Sequence, residues 1–173
     1  MPRIPIEKIY MQVAYQFAKL SYAERKKVGS VIVKDEQVVS FGYNGTPHGF
    51  NNACEEVKTE TVYYENPDIA MDLIEEHGFD CENGCCTKET TTTKPEVLHA
   101  ESNALAKLAK STMSSDGADL YVTMSPCYQC SKLIIQSGIK NVFYSEEYRD
   151  TKGIELLKKA NINVNKVIVW NEF

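Results

Sequence analysis

The sequence predicts an α/β protein: a mixed sheet that opens with a hairpin and carries helices on its faces. Three observations lead there. Apolar residues near the start recur at helical steps, a strand–turn–strand pattern follows at once, and the second half alternates helix and strand at intervals that suit crossover connections.

The elements follow in chain order. Ile6, Ile9, Tyr10, Val13, Phe17 and Leu20 fall at steps of three and four, which predicts an amphipathic helix over about residues 5–20. Residues 28–33 read as a strand, KDEQ as a polar turn and residues 38–42 as the hairpin partner. GYNGTPHG is a loop on its Gly, Asn and Pro content. Residues 55–95 read as an insertion within a single domain spanning 1–173, too short and polar to bury a core of its own. Within it NPDIAMDLIEEHG fits a short helix, Asn66 its N-cap and Gly78 its stop. CENGCCTKETTTTK has no period, and the run Thr90, Thr91, Thr92, Thr93 reads as a flexible connector. Order returns with a helix over about 99–110, a strand at DLYVTMS and a helix beginning at Pro126 or Cys127 and stopping at Gly138. A strand at KNVFYS, a short helix at GIELLKKAN and a strand at INVNKVIVW complete the chain.

A length of 173 residues suits one core, and 43% hydrophobic with 25% charged residues is ordinary for a soluble globular protein. No apolar run approaches the ~20 residues that cross a bilayer, and MPRIPIEKIY lacks the apolar stretch of a signal peptide. The expected location is therefore cytoplasmic, the host cytoplasm if the source is viral. A net charge of −5 argues against a polymeric nucleic-acid partner. The one dense basic cluster, ERKK at residues 24–27, suits a small phosphate or a solvated turn. Six cysteines fall in two groups, Cys54, Cys81, Cys85 and Cys86, then Cys127 and Cys130. In a reducing compartment such spacing suggests metal rather than a disulfide framework.

Cys127 and Cys130 lie three apart at a helix start, where two sulfurs can reach one point and the helix terminus favours thiolates. Alone, that pair could be a redox couple, half of a structural zinc site or core packing. His99 adds a third candidate ligand from another helix start. Three protein ligands leave zinc a fourth position for water, the open form of catalytic sites. Glu101 then has a task, since a carboxylate beside that position can take the proton of an activated water. Taken singly, His99 could be a packed histidine and Glu101 a first-turn acid on the helix dipole. The combination H-x-E with a later P-C-x-x-C is the signature of zinc deaminases.

HAE at residues 99–101 and PCYQC at 126–130 resemble the zinc-dependent cytidine and deoxycytidylate deaminase superfamily. KVGSVIV (27–33), GYNGTP (42–47), the stretch 120–140 and EEYRD (146–150) point within it to the phage-type deoxycytidylate (dCMP) deaminases. The resemblance runs from about residue 8 to 169 and weakens across 55–95. It implies a three-layer α/β/α fold on a central mixed five-stranded sheet, one catalytic Zn2+ per chain, and hydrolysis of dCMP to dUMP and ammonia, supplying dUMP for dTMP synthesis. Water would attack C4 of the pyrimidine while Glu101 serves N3 and then the departing amine.

It further implies that the backbone at Ala100 and the carbonyls of Ser125 and Pro126 orient the base. Ser21, Arg25 and Tyr148 would hold the 5′-phosphate, and Asn44 the sugar hydroxyl. An effector site for dCTP as activator and dTTP as inhibitor, with Mg2+, would lie between subunits of a homohexamer near Gly42, Tyr43, Gly45 and Arg149. Many relatives carry a second, structural zinc. One of its cysteines would fall near Ala23, where this chain has no sulfur, whereas Cys54 matches a ligand position. A rewired site could join Cys54 with some of Cys81, Cys85 and Cys86, or all four could be free thiols. The rival readings are another deaminase of the superfamily, acting on cytidine or on adenosine in tRNA, and a zinc-stabilised nucleotide-binding module without turnover.

Overall fold

The structure, a computed structural model, describes residues 3–169. In chain order the elements are α1 (Ile6–Ala18), β1 (Gly29–Lys34), β2 (Gln37–Tyr43), β3 (Glu55–Tyr63), α2 (Pro67–His77), β4 (Asp80–Glu82) and β5 (Cys85–Thr93). There follow α3 (Ala100–Leu108), β6 (Asp119–Met124), α4 (Tyr128–Gln136), β7 (Asn141–Glu146), α5 (Lys152–Lys159) and β8 (Asn163–Lys166). Five strands form one mixed sheet in the order β2-β1-β6-β7-β8. β1 runs antiparallel to β2 and β6, whereas β6, β7 and β8 run parallel, joined by crossovers through α4 and α5. Asp35 and Glu36 turn the β1–β2 hairpin with φ of 49° and 61°, the positive values a two-residue hairpin turn requires. Val167 lies beyond the last strand pairing, and Trp170, the end of the expected terminal strand, is outside the described residues.

Alternation along the strands divides the core. Val31, Val33 and Tyr121 face α1 and meet Met11 and Ala14. Ile32, Leu120 and Val142 face the other way, onto Ala104 of α3, Ile134 of α4 and Leu157 of α5. Both faces of the sheet are therefore covered, giving the α/β/α layering. No helix among the described residues is long and apolar enough to cross a membrane.

The segment 55–95 departs from its sequence reading. Its helix is as expected: Asn66 Oδ1 accepts from the Asp68 N–H at 3.0 Å, and Gly78 ends it with φ of 65°. The threonine run, however, is strand β5, paired with β3 over nine positions from Glu55↔Thr93 to Tyr63↔Cys85. β4 completes a second, three-stranded sheet. This unit also buries a small cluster of Ala70, Phe79 and Cys86, flanked by Val62, Leu73 and Cys81. β-branched threonines suit an extended chain. The alternation that normally exposes a strand is missing because most of β3 and β5 is solvated on both faces.

Gly42 lies where β2 crosses α3. A Cβ there would stand 2.1 Å from the Ala100 carbonyl oxygen and 2.5 Å from the Ala104 nitrogen, whereas one at Gly45 would meet nothing within 4 Å. Gly42→Ala should therefore cost about 1–3 kcal/mol in urea unfolding, the range for overpacking a fitted core. Gly45→Ala should stay within about 1 kcal/mol of the parent.

Candidate active site

Two helix starts meet at one point. His99 is the N-cap of α3 and Cys127 the N-cap of α4, both in extended backbone (φ −73°, ψ 157° and φ −70°, ψ 168°). Each side chain is thus free of its helix, while Cys130 stands in the first turn of α4. The expected helix starts at His99 and at Pro126 or Cys127 move on by one or two residues. Hydroxyls of the sheet anchor α3: Ser30 Oγ donates to the Ala100 carbonyl at 2.8 Å and Ser40 Oγ to that of Ala104 at 2.7 Å. Asn103 Nδ2 donates to the Tyr43 carbonyl at 2.8 Å. α4 is fixed through Gly153 of α5, so close that a Cβ would stand 2.0 Å from the Pro126 carbonyl oxygen.

His99 Nδ1 lies 3.4 Å from Cys127 Sγ and 3.5 Å from Cys130 Sγ. Zinc bonds of about 2.3 Å to sulfur and about 2.0 Å to nitrogen, at a tetrahedral angle, separate such atoms by about 3.5 Å. The donor set therefore fits zinc in both chemistry and spacing. Among the described residues it is the one group of three or more such side chains gathered this way. Three ligands leave the fourth position open.

The charges suit that role. Cys127 is pulled down to about 3, chiefly by the hydrogen bond from Cys130, with the His99 interaction adding to it. Cys130 is pushed up, first by that same bond and then by burial. A divalent cation binds both sulfurs as thiolates, so its binding releases the Cys130 proton. His99 is raised, first by its hydrogen bond to Cys127. Glu101 is 4% exposed, and burial pushes its carboxyl up to about 7, offset in part by its own backbone N–H and by His99. A carboxyl poised near neutrality beside an open metal position can accept a proton and return it.

His99, Glu101 and Cys127 open onto a cleft of about 630 Å³ lined also by Arg25, Asn44, Ala100, Ser125, Tyr148 and Arg149. Five expected substrate residues therefore reach it, and two do not. Ser21 is buried; its Oγ donates to the Asn44 carbonyl at 2.7 Å and accepts from the Ala23 N–H at 3.1 Å, so its one proton is committed inside the fold. Pro126 is buried with its carbonyl against Gly153, turned to α5. The Ala100 carbonyl is likewise spent on Ser30, leaving its first-turn N–H, which lacks an intrahelical acceptor. Ser125 Oγ accepts from the Tyr148 N–H at 2.8 Å and so places Tyr148. The Asn44 amide binds backbone on both sides, accepting from Val28 N–H at 2.8 Å and donating to the Lys26 carbonyl at 2.9 Å.

The residues expected beside an effector are dispersed. Gly42 is sealed under α3, Gly45 exchanges backbone bonds with Leu98, and the Tyr43 ring lies 4.9 Å from Lys107 Nζ. Arg149 opens into the cleft itself, its guanidinium 5.4 Å from the Tyr148 ring centre.

The rewired second metal set is not assembled. Cys81 and Cys86 are joined in a disulfide between partnered positions of β4 and β5, against the expectation of metal or free thiols. Cys85 pairs with Tyr63 at one end of β3, whereas Cys54 precedes Glu55 at the other. Eight strand steps separate those ends, roughly 27 Å. Cys54 is instead buried with Ala23 and Val97, so carbon packs around the one sulfur of that position.

Lys26 of the basic cluster also lines the cleft, and several cleft residues escaped the sequence reading: Glu55, Thr92, Thr93, Lys94 and Met124. Four of them lie in or beside the small sheet, and the signal that could have found them was the β-propensity of the threonine run. For the metal, the geometry predicts about one zinc per chain by elemental analysis, from a single three-ligand set. Cys54→Ala should leave that count unchanged, and Cys130→Ala should abolish it.

The chain matches the model of the cytidine and deoxycytidylate deaminase zinc-binding region over residues 5–146. It is 35% identical to the deoxycytidylate deaminase of Enterobacteria phage T4, covering 94% of this chain and 95% of that protein. It is also 35% identical to the deoxycytidylate deaminase of Mycobacterium phage D29, covering 85% and 99%. The crystal structure of the cyanophage S-TIM5 dCMP deaminase in complex with dCMP and dUMP superposes with a TM-score of 0.72, at 38% identity over 96% of this chain and all of that one. With the zinc-type ligand set inside the matched region, the chain belongs to the cytidine and deoxycytidylate deaminase family.

Proposed function

We propose that the chain hydrolyses dCMP to dUMP and ammonia. The observation that carries this reading is a buried carboxyl, Glu101, beside a three-ligand metal set in a cleft that also presents two guanidinium groups. Among the described residues neither Arg25 nor Arg149 forms an ion pair. Both are free to meet a phosphate, to which arginine offers a planar pair of donors. The relatives named above, and the ligands of the cyanophage enzyme, support the same substrate.

When bound, zinc supplies the Lewis acidity that makes water a nucleophile near neutral pH. The remaining work falls to the chain. The water oxygen bonds to C4 of the base as Glu101 takes its proton. Glu101 passes that proton to N3, then assists the second proton transfer to the amino group. The C4–N bond breaks, ammonia leaves and the carbonyl of the uracil product remains. The Ala100 N–H offers a donor to the base. Tyr148, placed by Ser125, and Arg25 hold the 5′-phosphate, with Arg149 above the Tyr148 ring as a second cation. Asn44 has one lone pair and one N–H left for the sugar after its two backbone bonds.

A nucleotide-binding module without turnover has no use for a buried carboxyl at an open metal position. Provision of dUMP for dTMP synthesis, activation by dCTP, inhibition by dTTP with Mg2+, homohexamer assembly and a cytoplasmic location belong to this proposal on the family resemblance. So does the reading of 1–173 as one domain with an insertion.

Ammonia release should be much faster from dCMP than from deoxycytidine at equal concentration; equal rates would remove the phosphate from the account. Arg25→Ala should raise KM for dCMP by about 10- to 100-fold, the effect of losing a charged hydrogen bond of about 1.5–3 kcal/mol. An unchanged KM would take Arg25 out of the site.

A further inference from the structure

The small sheet reaches the cleft at a single place, the end where Glu55 of β3 pairs with Thr93 of β5. Both members of that pair touch Arg25. Glu55 Oε1 accepts from the Glu24 N–H at 3.2 Å and from the Arg25 N–H at 3.4 Å. Thr93 Oγ1 accepts from Arg25 Nη1 at 3.4 Å. We propose that the Glu55–Thr93 pair is a two-point clamp that positions Arg25, Glu55 holding its backbone and Thr93 its guanidinium, so that the small sheet is part of the phosphate-binding apparatus. This rests on the reading of Arg25 as a phosphate ligand.

The placement of Glu55 is informative. A carboxylate present to neutralise Arg25 would pair with the guanidinium, and no such ion pair exists among the described residues. The carboxylate instead takes two successive backbone N–H groups and leaves the cationic fork open to the cleft. It is also outside the metal-ligand group, so it is not a spare ligand. Arg25 needs such support. It sits between α1 and β1 in a stretch with no regular structure, on a side chain with many rotamers to lose on binding. Fixing it beforehand lowers the entropy cost of capturing a phosphate. The small sheet is suited to the task because it is anchored at the same end: Lys94 donates its N–H to the Cys54 carbonyl and its Nζ to that of Ala53, each at 2.9 Å.

Glu55 is on this account a positioning residue, and the test separates it from a merely structural one. Wild-type chain is first assayed for ammonia release from dCMP; no release would refute the functional reading itself. With activity in hand, Glu55→Ala should raise KM for dCMP about tenfold with kcat within about twofold, as expected when a binding group is loosened rather than removed. Glu55→Gln keeps an acceptor oxygen and should stay within about threefold of wild type in KM. Thr93→Val, nearly the same shape without the acceptor, should raise KM by a smaller factor and guards against a misfolded alanine variant. In an Arg25→Ala background neither substitution should raise KM further, since the clamp would have nothing to hold. A wild-type KM for both Glu55→Ala and Thr93→Val, or a double-variant effect equal to the product of the single ones, would overturn the clamp.

Discussion

The convergence of two helix N-termini is the constraint on which the rest depends. α3 and α4 flank β6 in the chain, and each is preceded by a residue in extended backbone whose side chain is a metal-type donor. The hydrogen bond from Cys130, and after it the imidazole of His99, favour a thiolate at Cys127. If either helix start moved by one residue, the donors would turn away from one another. Much of the polar chemistry of the core exists to prevent that. Ser30, Ser40 and Asn103 fix α3 to the first hairpin, and two glycines allow backbone contact that no side chain could fit through: Gly42 under α3 and Gly153 under the loop into α4.

The same economy shapes the cleft electrostatically. Lys26 is paired with Glu146 at 2.5 Å, and Glu146 also accepts from Tyr15 at 3.3 Å. Among the described residues Arg25, Lys94 and Arg149 line the cleft without an ion pair, in the same cleft as a Glu101 held near neutrality. A cleft that holds cations together with a buried proton carrier suits a small anionic substrate.

What the sequence made legible was what period and spacing can encode. The amphipathic helix, the hairpin, the crossover half and the H-x-E with P-C-x-x-C set were all readable, because buried faces and shared ligands leave regular traces. Asn66 and Gly78 were readable for the same reason, as chemistry specific to helix ends. The small sheet was not. Its strands are polar on both faces, and Thr90 to Thr93 look the same in a connector as in a ladder. The fates of Ser21 and Pro126 were hidden too, since a serine that donates to phosphate and one that donates to a carbonyl have the same neighbours in sequence. The cysteines show the limit most sharply: Cys81 and Cys86 become a cross-strand pair only through a register no spacing rule supplies.

The central claim is that Glu101 moves protons beside the metal and does not help to hold it. The direct measurement is zinc content and dCMP turnover in one preparation of Glu101→Gln, a variant of nearly the same shape that cannot cycle a proton. The account predicts about one zinc per chain, as in wild type, and turnover reduced by about 10²- to 10⁴-fold. Wild-type turnover in that variant, or loss of its zinc, would contradict it.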